Sequence, residues 1–207
     1  MTLGSRTLLG LCLLAGLASS THAAPAVGDL LPEVTVEGTD GSQRRLPELR
    51  VPSVVIYEDS DAGKQNVRAA ALIDATTNLP ANKDHVEAIA VADLERWNFW
   101  PARKFALAEV KRVAARLHTT LYIDLKADLR RAWKLTKKRS AIVLLGTDGR
   151  VRFSAEGPLT DAQLDDLKRA FAQLGVVVPQ TVASEATYHE APQTPPLPPS
   201  AKTATDP

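Results

Sequence analysis

AIVLLGTDGRVRFSAEGPLTDAQLDDLKRAF, residues 141–171, is the stretch whose reading decides the fold. Ala141 to Leu145 is an unbroken apolar run, Asp148 and Gly149 make a turn, and Val151 to Phe153 resumes as a second strand, the pattern of an antiparallel hairpin. Gly157 and Pro158 then break the chain. Thr160 stands three residues before Gln163, the spacing at which each side chain can satisfy the other's free helix-end amide. Leu164, Leu167, Ala170, Phe171 and Leu174 follow on one face of the final helix.

Upstream, strand and helix signals alternate. Thr120 to Ile123 reads as a short strand and Asp128 to Leu135 as one or two helical turns, with Trp133 expected in the core. A long helix should follow Trp100, with Pro101 at its first position, where a missing amide proton does no harm. Its Ala106, Val110, Val113, Ala114 and Leu117 share one face and its basic side chains the other. Val86 to Val91 reads as a buried strand, and Val51 to Tyr57, interrupted by Pro52, as another. Between them a helix is expected from Asp61 to about Thr77, capped by Asp59 or Ser60. Val34 to Val36 and Arg44 to Leu46 flank Thr39, Asp40 and Gly41 as a preceding hairpin. Helices intercalated between strands, closing on a hairpin and a helix, imply a mixed sheet with helices on both faces.

The two ends have different compositions. Residues 1–23 carry one charge, Arg6, an apolar run from Leu8 to Ala18 and small residues up to Ala23 and Ala24, as a cleavable Sec-type export signal would. Cleavage near Ala23 or Ala24 would deliver the chain to a bacterial periplasm or the exterior, without a transmembrane segment and without Cys12, its only cysteine. About 180 residues then remain, enough for one domain and an appendage. That domain is expected over residues 24–175. From Pro179 onward seven of the fourteen prolines occur, four of them in PPLPP at 195–199. Residues 176–207 are therefore expected to form a disordered, partly polyproline-II tail.

Four pieces in order resemble the redoxin branch of the thioredoxin superfamily, peroxiredoxin-like and TlpA-like: GDLLPEVTVEGTDGSQRRLPELR at 28–50, TLYIDLKADLRRAW at 120–133, AIVLLGTDGRVRF, and EGPLTDAQLDDLKRAF. An exported, cysteine-free version looks similar to the YtfJ-type periplasmic proteins. The resemblance implies a thioredoxin-like three-layer α/β/α sandwich with a mixed central sheet and an N-terminal hairpin extension. It also implies a thiol site, and here the residues depart from it. VVIYEDSDAGK places Asp61 and Lys64 at the positions of the paired cysteines, and KKRSAIV places Ser140 where the family has a cis-proline. A non-proline cis bond costs about 3 kcal/mol, so Ser140 should be trans. Thiol oxidoreductase activity is then implied by family name only.

The substituted loop has two readings. Glu58, Asp59 and Asp61 could form an acidic metal site for a hydrolase or phosphatase, with Asp59-x-Asp61 as a nucleophile pair. Alternatively Asp59, Ser60 and Asp61 cap the following helix and complement its positive end. His85, His118 and His189 show no metal-ligand spacing, so no metal or cofactor is expected. Arg96 to Arg152 holds fifteen Lys or Arg against four acids. In an exported protein that balance suits an envelope protein or an anionic envelope component rather than nucleic acid. Trp97, Phe99 and Trp100 in RWNFWPARK, with Asp59 and with Arg139 beside Ser140, are the candidate partner-binding residues. The function expected is a redox-inactive, non-catalytic binding or scaffold module, with the acidic-site hydrolase as the alternative.

Overall fold

A computed structural model describes residues 24–59, 62 and 65–180. Cys12, the expected export signal at 1–23, Ser60, Asp61, Lys64, His189 and the proline-rich segment from residue 181 lie outside the described residues. Seven strands form one mixed sheet: β1 (Val34–Gly38), β2 (Gln43–Leu46), β3 (Ser53–Asp59), β4 (Glu87–Asp93), β5 (Tyr122–Asp124), β6 (Ala141–Leu145) and β7 (Val151–Glu156), in the order β2-β1-β5-β4-β3-β6-β7. Strands β3, β4 and β5 are parallel, and every other pairing is antiparallel. The helices are α1 (Val67–Thr77), α2 (Ala102–Leu117), α3 (Asp128–Ala132) and α4 (Asp161–Gln173). This is the expected α/β architecture, with the hairpin β1–β2 joined to the sheet through β5.

Alternation along β3 sorts its side chains to two cores. Val54 and Ile56 face α1 and α4, packing with Leu72, Ile73, Leu164, Leu167 and Phe171. Val55 and Tyr57 face the other side, with Leu129, Trp133 and Leu135. Trp133 is fully buried as expected, and its indole donates to the Pro32 carbonyl at 3.0 Å. The capping box of α4 is complete, with Thr160 and Gln163 each accepting from the other's backbone amide. Gly149 takes φ +71° in the β6–β7 turn, a conformation that favours glycine. Beyond α4, Val176 enters the α1/α4 core and Val177 is held by Asn82 through both backbone groups.

Two expected elements differ. The strand before the loop runs to Asp59, and α1 begins at Val67 rather than at Asp61. Asp59 ends the strand instead of capping the helix. Asn66 holds the N-cap position, yet its side chain makes no cap bond, because its amide is committed to the Gly157 carbonyl and the Leu159 amide across the fold. The long helix also differs. Pro101 is its N-cap, one residue before the expected place, and the face expected to be buried is covered only at Ala114. Ala106, Val110 and Val113 are half-buried, and Leu117 is exposed.

Candidate functional site

The three parallel strands all end on aspartate at one level: Asp59, Asp93 and Asp124 are register partners. In open α/β sheets ligands bind outside these carboxyl ends, so this rim is the place to look for function. Each aspartate is buried and already engaged. Asp124 accepts the Tyr57 hydroxyl at 3.1 Å and the amides of Asp128, Leu129 and Arg130, which fixes the start of α3. Burial raises the Asp124 carboxyl above its ordinary value even though those amides pull it down, and burial pushes the Tyr57 phenol up as well. Asp93 accepts the Glu95 amide at 2.9 Å and Arg130 Nε at 3.0 Å. The other arm of the Arg130 guanidinium reaches Glu95 at 2.6 Å. Lys137 and Arg131 complete the ring of cations, and the Lys137 hydrogen bond leads in holding the Glu95 carboxyl below its usual range.

Asp59 secures the loop that enters β6. Its Oδ2 accepts the Lys138 amide at 3.0 Å, while Glu156 accepts both the amide and the hydroxyl of Thr136 at 2.6 Å each. With Glu95, in the turn after β4, on Lys137, three carboxylates pin residues 136–138, although Lys138 sits in the left-handed region at φ +63°. Such bonds satisfy amides that a loop would otherwise leave unpaired. Asp59→Ala should cost about 1–3 kcal/mol in urea unfolding and should strip hydrogen-exchange protection from the Lys138 amide. Unchanged protection there would refute the tether.

Ser140, at the expected cis-proline position, is trans: the cis bonds among the described residues are Leu46–Pro47 and Trp100–Pro101. Ser140 is fully buried, its amide donates to Gln65 Oε1 at 3.3 Å and its carbonyl accepts from Gly157, but its hydroxyl has no partner among the described residues. Glu58 lies one residue beyond the Tyr57–Ala141 register pair, on the sheet face shared by Val54 and Ile56. Half-buried, its carboxyl is pushed up to about 7 by desolvation. A cavity of about 220 Å³ opens between Gln65, Asn66, Arg68 and Leu159, below the roughly 300–1,000 Å³ of common ligand pockets. Among the described residues no three His, Cys, Asp or Glu side chains are grouped to hold a metal.

The aromatic segment leaves the neighbouring strand end. Glu95–Trp97 forms a short 3-10 turn after β4, and the Arg96 guanidinium lies 5.4 Å from the Trp97 ring centre. Trp97 is half-buried, whereas Phe99 is 59% and Trp100 88% exposed. The fold thus joins Asp59, the 136–140 loop and the aromatic segment along one rim through Glu95 and Lys137. Arg139 is exposed, with its guanidinium beside Gly157. His85 is exposed and His118 ends α2. The residues missed from sequence are Tyr57, Asp93, Glu95, Asp124, Arg130 and Glu156. Their one signal is that three apolar strands finish on Asp.

The fold resembles a DsbE-type candidate thiol:disulfide interchange protein from Chlorobium tepidum (TM-score 0.55, 15% identity, 73% of this chain and 99% of that one). It also resembles an uncharacterized conserved protein from Geobacillus kaustophilus (TM-score 0.53, 16% identity, 75% and 86%). A third likeness is a Cys-to-Ser variant of PrxQ from Xylella fastidiosa (TM-score 0.51, 11% identity, 74% and 99%). These establish a thioredoxin-like fold. No curated protein matches the sequence. Residues 55–174 match the family described as "Bacterial protein of unknown function (YtfJ_HI0045)".

Proposed function

This chain belongs to the YtfJ_HI0045 family of bacterial proteins, and from that premise we propose that it is an exported, redox-inactive thioredoxin-fold protein that works as a non-catalytic binding module. In this reading residues 1–23 are removed on export to the periplasm or beyond and residues 24–175 form the binding domain, extended by Val176 and Val177, which the fold packs against α1 and Asn82 rather than leaving in a tail. The observation that carries the reading is the exposure of Trp100 and Phe99 on a rim that five ion-paired side chains hold in place. Large aromatics left in water forgo about 1.5–3 kcal/mol each that burial would supply, and partner surfaces are where proteins keep such residues. Sequence supports the loss of redox chemistry, since Asp61 and Lys64 replace the paired thiols and Cys12 precedes the domain. The hydrolase alternative is disfavoured because Asp59, half of its acid pair, is spent on the Lys138 amide.

The test is photocrosslinking in intact cells from position 100, with exposed Gln173 on α4 as the control position. A reproducible protein or lipid adduct should form from 100 and not from 173, and Cys12→Ala should leave it unchanged once export is matched. The absence of an adduct from position 100, or its dependence on Cys12, overturns the reading.

A further inference from the structure

We propose that the segment Phe99–Leu117 docks on an anionic phospholipid bilayer; this rests on the rim being a binding surface and names what it binds. Of the 16 residues of α2 only Ala114 is buried, and none belongs to either core cluster. Trp100 is 88% exposed, Phe105 69%, Phe99 59% and Leu117 55%, four of the seven exposed large hydrophobic residues among the described ones. Phe99 and Pro101 accept amides of the first helical turn, from Arg103 and Lys104, so the backbone that carries the two leading aromatics is bonded to the helix on either side of Trp100.

The charge on the same helix is one-sided. Arg103, Lys104, Lys111, Arg112 and Arg116 face one acid, Glu109, and that acid is held by both arms of Arg112 at 2.9 and 2.6 Å. The other four cations form no ion pair among the described residues. Phe105 and the unpaired Arg116 stand at i and i+11, which a helix of 3.6 residues per turn brings onto one stripe. Exposed aromatics at the entry of a helix with an excess of unpaired cations suit a segment that lies in the headgroup region, where Trp is enriched and anionic lipids attract Lys and Arg.

The chain without residues 1–23, the exported form in this reading, should cosediment with phosphatidylglycerol–phosphatidylcholine vesicles and not with phosphatidylcholine alone, and 0.5 M NaCl should release it. Each cation at the surface is worth on the order of fivefold in partitioning, so Lys104→Glu/Lys111→Glu/Arg116→Glu should weaken binding at least tenfold. Trp100→Ala/Phe105→Ala should do the same with an unchanged circular dichroism spectrum, and Trp100→Phe should remove the blue shift of tryptophan emission on binding. Failure to bind anionic vesicles, or binding that survives both sets of substitutions, overturns the proposal. A protein adduct from position 100 together with failed vesicle binding leaves the binding-module reading standing and removes only the lipid.

Discussion

Arg130→Met should lower the unfolding free energy by about 3–5 kcal/mol, because it leaves a buried carboxylate without its cation. Asp93 is 4% exposed, and the Arg130 side chain that meets it at 3.0 Å is itself only 12% exposed. Asp93 would then stand beside Asp124, its register partner on β5, with the Glu95 amide as its remaining strong donor. Methionine keeps the length and apolar stem of arginine, so lost packing contributes little. Asp93→Asn on the Arg130→Met background should recover a large part of the loss, which a double-mutant cycle in urea would report as coupling. Lys137→Met is the contrast, since it removes a cation 55% exposed to solvent from the same Glu95, and exposed pairs are worth about 0–1 kcal/mol. A loss below 1 kcal/mol for Arg130→Met would mean that Asp93 does not depend on the guanidinium. The functional consequence is local as well. Arg130 fixes Glu95, which opens the turn leading to Phe99 and Trp100, so the crosslink from position 100 should weaken in this variant even where the fold survives.

What sequence reading recovered and what it missed follow from the range of the interactions. The β6–β7 hairpin and α4 are specified by neighbours in the chain: Gly149 supplies the turn conformation, and Thr160 and Gln163 cap each other. Trp133 was legible in the core because a large indole next to a strand-and-helix pattern has few other places to go. Asp59 was misread because its partner lies 79 residues away at Lys138. Local cap preference favours an aspartate before a helix, and the distant loop amide took the carboxylate instead. Asn66 repeats the lesson at the N-cap of α1, where its side chain serves the β7–α4 loop.

The apolar face of α2 exposes a different limit. Periodicity tells which side chains share a face, but not whether the fold supplies anything to cover it. Ala106, Val110 and Val113 do share a half-buried face, while Leu117 and the preceding Phe99, Trp100 and Phe105 remain in solvent. The aspartates of the strand ends were legible only in combination. Each is an ordinary residue after an apolar run, and only the register of β3, β4 and β5 reveals that they meet.

Glu58→Gln should stabilise the protein at pH 8 by about 3 kcal/mol while changing little below pH 4.5. Glu58 is half-buried at the end of β3, and desolvation raises its carboxyl from 4.5 to about 7. No donor among the described residues compensates. The unfolded chain therefore releases this proton at lower pH than the native one does. Between the two values the native state binds more protons, so the Glu58 contribution to stability falls as pH rises from about 4.5 and levels off above about 7. Below that window both states are protonated and the contribution vanishes. Glutamine stays neutral throughout, so the difference between the two proteins should be flat at low pH and widen in its favour up to neutrality. Any constant difference between Glu and Gln cancels from that slope. Urea unfolding of both proteins at several pH values from 4 to 8 checks it. A difference that stays constant across the range would show that Glu58 ionises in the native chain as it does in water, and that the end of β3 is open to solvent on the α1 side.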